Sequence, residues 1–291
     1  MLPGTTLPGF EVIPADARAG MIIVHGIAEH GGRYRHVAAA LAKSGIASFV
    51  YDQRGHGFHP GTRTHVDDFE DFAHDLQRVA AAVRGRLPAL PLFVWGHSMG
   101  SVIVTLAAVN GMSWPRGVIT SGCALDALPS LEGLRGLALR LAVALLPRLR
   151  IDLRVDATQL TRVEEAQREH MSDPLVPRSA SLRLLHGFAA ACHKCKANLP
   201  HIALPWLAIH GTADKVCPVS GSEQLIAALA ASDKQLVLYP GLLHEPHNEH
   251  DAARTTMFDL MSSWMLARTP APEAAVDSGA KVRDSVIGMG S

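Results

Sequence analysis

A serine between two glycines is the most chemically suggestive feature of this chain. Residues 96–100 read Gly-His-Ser-Met-Gly, with an apolar run at 92–95 before them and a helix-like segment at 102–109 after them. This G-x-S-x-G pattern is typical of a nucleophile elbow, a sharp strand-to-helix turn that exposes a serine hydroxyl. Glycines at both flanks permit the turn because larger side chains would collide there. We therefore predict that Ser98 is a catalytic nucleophile.

The sequence also supplies partners for Ser98 in a suitable order. A serine hydroxyl needs a base, and the base needs a carboxylate that orients it. On doubly wound sheets with such an elbow, the acid and then the histidine follow the serine, each after a strand. Asp214 follows the apolar run 206–210, and His244 follows 235–239. Asp214 could instead cap a turn or helix, and His244 could be a surface histidine. The order and the strand ends favour a triad of Ser98, Asp214 and His244.

Two backbone amides are candidates for stabilising an oxyanion. His25-Gly26 follows the first fully apolar run, at 21–24, and Met99 follows the nucleophile. The N–H groups of Ile27 and Met99 are therefore expected to converge on the reacting carbonyl oxygen. Because a His-Gly pair occurs in many loops, this prediction depends on the elbow.

The surrounding pattern predicts an α/β fold with a doubly wound, mostly parallel sheet. Strand and helix patterns alternate up to a strand at 117–121 and resume at 206–210, which implies right-handed crossovers. Between them lie two Leu/Ala-rich helical stretches, 131–149 and 179–196. The predicted division is core at 1–123 and 203–268, helical cap at 124–202, and a disordered tail rich in Pro, Ala, Gly and Ser at 269–291.

Composition narrows the class of protein. The chain has 291 residues, 48% of them hydrophobic, and equal numbers of basic and acidic residues, 27 of each. No basic field attracts nucleic acid, so we expect no nucleic-acid partner. Four cysteines are too few for a disulfide framework and suit a reducing compartment. With no secretory leader and no apolar run long enough to span a bilayer, the expectation is a soluble, cytoplasmic enzyme of undetermined oligomeric state.

Two clusters suggest a metal or redox site, but each lacks residues that such a site requires. Residues 244–250 hold three histidines, yet Pro246 interrupts any regular helix face and no cysteine or aspartate completes a tetrahedral set. Cys192 and Cys195 have zinc or redox spacing, but no second pair exists in the chain. We expect no metal and no organic cofactor.

The chain resembles the monoacylglycerol lipase and lysophospholipase branch of the α/β hydrolases. Residues 25–34 match the pattern H-G-x-x-E-H-x-x-R-Y, and four further matches follow in order, at 51–57, 96–100, 172–176 and 211–214. The resemblance spans about residues 22–267. It implies an α/β-hydrolase fold with the cap inserted after the sixth strand, and the triad already inferred.

The resemblance also implies a substrate. In monoacylglycerol lipases, side chains at the positions of Glu29, Arg33 and His247 hold the glycerol hydroxyls. The implied activity is hydrolysis of medium- or long-chain monoacylglycerols through an acyl-enzyme. The alternative on the same triad is a lysophospholipase or a broader carboxylesterase; an acyltransferase and a catalytically silent binding protein are weaker candidates. Glu29 and Arg33 could also form a pair at a helix start that only fixes the loop.

Three further features bear on the periphery of the site. Relatives begin with a two-stranded hairpin, whereas here a weak strand at 10–13 suggests a shortened sheet edge. Cys217 resembles a thiol near the pocket of some monoacylglycerol lipases. The cap stretch 131–149 places leucines on one side of a helix, which indicates either a core-facing stripe or a lid that lines the acyl tunnel and touches lipid, its arginines meeting anionic headgroups. These leucines are Leu134, Leu137, Leu141 and Leu145.

Overall fold

A twisted seven-stranded sheet forms the centre of the protein. The computed structural model describes residues 1–128, 133–153 and 155–270. The sheet order is β1-β3-β2-β4-β5-β8-β9, and all neighbours are parallel except β1, which pairs antiparallel with β3. Its strands are β1 (Gly9–Val12), β2 (Ala19–Val24), β3 (Ile46–Tyr51), β4 (Leu92–His97), β5 (Val118–Ser121), β8 (Trp206–Gly211) and β9 (Lys234–Tyr239).

Helices cover both faces of this sheet. The helices of the described residues are α1 (Arg35–Ala42), α2 (Glu70–Arg86), α3 (Met99–Val109), α4 (Gly133–Leu145), α5 (Glu164–Ser172), α6 (Leu182–Asn198), α7 (Ser220–Ala228) and α8 (Asp251–Leu266). Of these, α4 and α5 do not cover a face of the sheet. Apolar residues of α1 and α8 form a core with one face, and those of α2, α3, α6 and α7 with the other. Because both faces are covered, β2, β3, β4, β5 and β8 are buried along their whole length, which explains their almost continuously apolar sequences.

The fold is the predicted α/β-hydrolase architecture, with corrections at the sheet edge and in the cap. The cap follows the fifth strand along the chain, not the sixth, because one short strand rather than a hairpin precedes β2. The interval 124–202 is also not all cap. Its last helix, α6, buries Leu184, Phe188 and Cys195 in the core that contains α3. Because its apolar residues pack against a core helix, α6 belongs to the core, and the cap ends before α6 begins.

The remaining part of the excursion lies over the carboxyl ends of the strands. It contains α4, α5 and a two-stranded antiparallel ribbon of β6 (Arg150–Asp152) and β7 (Ser179–Ser181). Of the tail predicted to be disordered, 271–291 lie outside the described residues, as does the side chain of Leu134.

The leucine stripe of α4 does not face the core. Leu137, Leu141 and Leu145 are 54%, 59% and 79% exposed. This contradicts the core-facing interpretation and leaves a surface for which a lipid contact is the open alternative. Across the described ranges, no helix combines the length and the apolar character that crossing a bilayer would require.

Candidate active site

The nucleophile elbow lies between β4 and α3, as the sequence predicts. Ser98 has φ 54° and ψ −122°, a conformation that is rare and strained for a residue with a side chain. A Cβ on Gly96 would overlap the carbonyl of Gly100, and a Cβ on Gly100 would overlap the carbonyl of Val24 on β2. The two glycines are therefore required by close backbone approaches, which hold the serine at the tip of the turn.

The three residues of the predicted triad follow the carboxyl ends of β4, β8 and β9. Asp214 follows β8, and its Oδ2 lies 2.7 Å from Nδ1 of His244, which follows β9. His244 lines the same cavity as Ser98. Burial would lower the pKa of His244, but the contact with Asp214 and the nearby charges of Glu245 and Glu29 raise it above its usual value. The surroundings therefore stabilise the imidazolium that a general base becomes.

The orienting carboxylate is itself held by four donors. Oδ1 of Asp214 accepts the N–H groups of Val216 (2.8 Å) and Cys217 (2.9 Å). Its Oδ2 lies 3.1 Å from Nε2 of His210, a fully buried histidine, in addition to His244. Burial would raise the pKa of Asp214, but the hydrogen bonds from His210 and His244 lower it. Asp214 is thus ionised and fixed in orientation.

His210 belongs to none of the sequence motifs, yet it contacts the catalytic carboxylate. Its Nε2 faces the Asp214 carboxylate and the carbonyl of Cys217 (3.1 Å), which are both acceptors. This nitrogen must therefore carry a proton. Its Nδ1 lies 2.7 Å from the hydroxyl of Ser222. The available signal was its place four residues before Asp214, at the end of a buried strand.

The predicted oxyanion amides lie on the loop after β2 and at the start of α3. Parallel pairing of Val24 with Gly96 brings the loop after β2 beside the elbow. Met99 is the first residue of α3, so its N–H has no acceptor within the helix. Gly26 N–H donates to Glu29 Oε1, which leaves Ile27 as the next amide, and Ile27 lines the cavity. An oxyanion role for Ile27 and Met99 stays a prediction.

The predicted head-group residues do not all face the cavity. Glu29 and Arg33 line it together with Ser98, and a hydrogen bond of 2.8 Å joins them. His247 is fully buried and absent from the described lining. Its ring stacks on Tyr34 at 5.2 Å between centroids and meets His97 at 4.7 Å. The structure therefore places His247 behind the site, one layer from where a substrate would lie.

Arg33 has a second partner, Glu245, that the spacing of residues in the sequence does not indicate. Its Nη1 and Nη2 donate to the two carboxylate oxygens of Glu245, each at 2.8 Å. Burial would raise the pKa of Glu245, but Arg33 holds it well below its usual range. In the sequence, Glu245 is visible only as a member of the histidine-rich run 244–250, for which we expect no metal. The contact that reveals it joins segments 212 residues apart.

The cavity has a volume of about 420 Å³ and is closed on one side by the cap. Oδ2 of Asp173, from the matched motif at 172–176, lies 2.8 Å from Nε2 of His30, which ties the cap to the loop after β2. The cap also supplies most of the apolar lining. Its apolar lining residues are Leu153, Val155, Ala157, Leu160, Met171, Val176 and Pro177.

A second set of contacts joins the cap to residues 244–250, the segment that carries His244. Glu245 N–H donates to the carbonyl of Leu160 (2.8 Å), and the hydroxyl of Thr161 donates to the carbonyl of Asn248 (2.7 Å). The side chain of Arg162 donates to Glu249 (3.0 Å). The loop that carries His244 is therefore held on one side by the sheet and on the other by the cap.

Comparison with known proteins identifies this arrangement. The family model described as serine aminopeptidase S33 (Hydrolase_4) matches residues 15–251. The chain is 30% identical to a monoacylglycerol lipase of Mycolicibacterium smegmatis, over 87% of this chain and 89% of that protein. It is 31% identical to the monoglyceride lipase of Mus musculus, over 88% of this chain and 85% of that protein.

A solved structure shows the same fold. The crystal structure of a soluble variant of monoglyceride lipase from Saccharomyces cerevisiae, in complex with a substrate analogue, superposes with a TM-score of 0.77 at 26% identity. The match covers 90% of this chain and 92% of that one. The elbow, the ordered strand-end residues and these similarities agree. The chain belongs to the serine aminopeptidase S33 family of α/β hydrolases, in its monoacylglycerol lipase branch.

Proposed function

We propose that this protein is a serine esterase that hydrolyses medium- or long-chain monoacylglycerols to fatty acid and glycerol. One observation carries the proposal: Ser98 and His244, which pairs with Asp214, line one cavity that has two kinds of lining, the ionic side chains of Glu29, Arg33 and Glu245 and the apolar side chains of the cap. A monoester with a polar head and a hydrocarbon chain matches both linings. The relatives named above as monoacylglycerol or monoglyceride lipases support the same substrate.

The proposed chemistry proceeds by acyl transfer in two steps. His244 Nε2 accepts the Ser98 proton as the hydroxyl oxygen attacks the ester carbonyl, while Asp214 stabilises the imidazolium. The N–H groups of Ile27 and Met99 donate to the oxyanion, and His244 then protonates the departing glycerol oxygen. Water, deprotonated by His244, attacks the acyl-enzyme and releases the fatty acid. Ser98 regains its proton from His244.

We include in this proposal that Glu29 and Arg33 bind the glycerol head. For His247 we propose an indirect role. Glu29 and Arg33 line the cavity near Ser98 and carry acceptors and donors for glycerol hydroxyls, which would be costly to bury unpaired. His247 acts instead from behind, by packing against Tyr34 and His97. The alternative reading of Glu29 and Arg33, as a pair that only fixes the loop, predicts normal head-group preference in Glu29→Ala.

Peripheral lipid contact through the cap is the second element of the proposal. The exposed leucines of α4 lie beside exposed Arg140 and Arg148, a combination that suits an anionic lipid surface. Arg150, by contrast, is engaged with Thr64 and with the carbonyl of Arg63. A cytoplasmic location also belongs to this proposal; the four cysteines are buried and unpaired, which suits a reducing compartment.

A substrate panel tests the proposed function. Monoacylglycerols, lysophospholipids and p-nitrophenyl esters of graded chain length are compared on the wild type and on Glu29→Ala. We expect the highest kcat/KM on monoacylglycerols and a loss in Glu29→Ala that is confined to glycerol esters. A preference for lysophospholipids, or equal rates on all esters, would favour the alternative lysophospholipase or carboxylesterase.

A fluorophosphonate probe separates the enzyme from a catalytically silent binding protein. Such probes label an activated serine, so we expect labelling of the wild type that disappears in Ser98→Ala. A wild-type protein that takes up no label would exclude the enzyme. Labelling that persists in Ser98→Ala would assign the nucleophile elsewhere.

A further inference from the structure

The guanidinium of Arg33 lies between two carboxylates on the cavity wall. It donates to Glu29 Oε2 at 2.8 Å and to both oxygens of Glu245 at 2.8 Å. The side chains are 12%, 4% and 3% exposed for Arg33, Glu29 and Glu245. All three line the cavity with Ser98 and His244. These three ionic side chains therefore form a cluster on the cavity wall near the catalytic residues.

The net charge of this cluster is negative. Two carboxylates face one guanidinium, so the cluster has a formal charge of −1. The other ionisable groups of the described lining do not cancel it. Asp152, Asp156 and Arg178 together add one more negative formal charge. Burial lowers the pKa of His97 and His170, which keeps both rings neutral, and any positive charge on His244 is paired with Asp214. Because water screens buried charges poorly, a charged group that enters the cavity meets this field directly.

Glu245 is the residue that determines this sign. If Glu29 were the only partner, the Glu29–Arg33 pair would be neutral, and the other edge of the guanidinium would be open to a phosphate. Glu245 occupies that edge with both its oxygens. An anion could reach Arg33 only by breaking a buried ion pair and leaving a carboxylate unpaired, which is strongly unfavourable.

We propose that Glu245 is a specificity-determining residue that makes the cavity select uncharged polyol heads and reject anionic phosphate heads. The proposal rests on the proposed function and adds the charge of the substrate head to it. Glu29 Oε1 lies close to the elbow. A Cβ placed on Gly26 would be 2.7 Å from this oxygen and 3.0 Å from Ser98 Cβ, so both atoms lie near the same point. The ester's alcohol portion thus lies next to the anionic cluster when its carbonyl reaches Ser98.

The test compares substrates that share one acyl chain. The kcat/KM of the wild type is measured in neutral detergent micelles on 1-oleoylglycerol and on its 3-phosphate. Like charges placed together across an interface cost enough that we expect a ratio of about 100-fold or more in favour of the uncharged ester. Glu245→Gln keeps the shape and removes the charge, so the ratio should fall by about tenfold.

Matched controls separate charge from size and from general damage. Glu249→Gln removes a buried carboxylate from the same loop, but Glu249 contacts Arg162 and does not line the described cavity, so the ratio should stay unchanged. 1-Oleoylglycerophosphocholine has a larger head without net charge. We expect the wild type to hydrolyse it faster than the smaller phosphate monoester.

Each contrary outcome overturns the proposal in a distinguishable way. A wild type that hydrolyses both oleoyl esters within about threefold has no charge selection. An equal loss on both substrates in Glu245→Gln makes Glu245 structural only, and slower hydrolysis of the choline ester than of the phosphate monoester makes size the determinant. If neither glycerol ester is hydrolysed while a short p-nitrophenyl ester is, the proposed function fails and this inference with it.

Discussion

The protonation of His244 connects its neighbours to the chemistry. The ring must be neutral to accept the Ser98 proton and charged in the transition state. Asp214, Glu245 and Glu29 raise its pKa against the effect of burial. Activity should therefore be present above this raised pKa and should fall as the pH drops through it. His97, which meets the His244 ring at 4.8 Å, has its own pKa lowered well below the usual value by burial and adds no charge.

His210 adjusts this balance through Asp214. Its Nε2–H shares Oδ2 with His244, so it draws charge from the oxygen that stabilises the imidazolium. In His210→Leu the carboxylate is more basic toward His244, and the acid limb of kcat/KM should move to higher pH by about half a unit. We expect kcat to fall by about tenfold as Asp214 loses its fixed orientation. The measurement is the pH profile on a soluble p-nitrophenyl ester.

The matched variant is His210→Gln, whose amide can donate in place of the imidazole. It should restore the acid limb toward the wild-type position. A limb that stays in place in both variants, with only kcat reduced, would show that His210 supports the fold without tuning the pair of Asp214 and His244.

Cys217 is close to the nucleophile but protected. The side chain is only 2% exposed. Burial and the charge of Asp214 raise its pKa well above the usual value, against a smaller lowering by the nearby Ser98 hydroxyl. We expect bulky thiol reagents to inactivate the enzyme slowly, because little thiolate forms at neutral pH. Inactivation should be faster at higher pH and absent in Cys217→Ala. Equal inhibition of the alanine variant would assign the effect to another site.

At the scale of elements, the sequence predicted the strands and helices whose apolar residues are buried. The predicted strands 117–121 and 206–210 agree with β5 and β8 to within one residue, because both lie inside a sheet whose covering helices exclude water. Within the cap, α5 and β6 were not predicted. None of the residues of α5 is buried, so it has no apolar face to detect, and β6 is only three residues long.

The active site divides in the same way. Ser98, Asp214 and His244 could be predicted because strand ends and chain order determine their places. The roles of Glu245 and His210 depend on contacts between side chains that sequence spacing does not show. The depth of His247 was likewise invisible, since its distance of three residues from His244 is compatible with either side of the loop.

Helix α4 carries the prediction that belongs to this scale. Its exposed leucines are expected to insert into a lipid surface, so Leu137→Glu should reduce co-sedimentation with anionic liposomes by about tenfold, while binding to neutral liposomes is weak for both proteins. Leu238, which is 39% exposed on β9, provides the matched control as Leu238→Glu. Unchanged binding of Leu137→Glu would remove α4 from any membrane role.

At the scale of the whole molecule, the fold imposes a strained backbone on its nucleophile. Ser98 keeps φ 54° because β4, α3 and the close approach of Gly100 to β2 permit no relaxation. Strain of this kind costs about 1–3 kcal/mol, and it should appear in the free energy of unfolding.

Glycine accepts positive φ without that cost but loses more entropy on folding, by about 0.5–1 kcal/mol. Ser98→Gly should therefore be more stable than Ser98→Ala by about 1 kcal/mol in urea unfolding. Both variants lack the hydroxyl and should be inactive, so the comparison isolates the backbone. If Ser98→Gly is the less stable of the two, the elbow conformation stores no strain, and the rigidity of the site must come from its side-chain contacts alone.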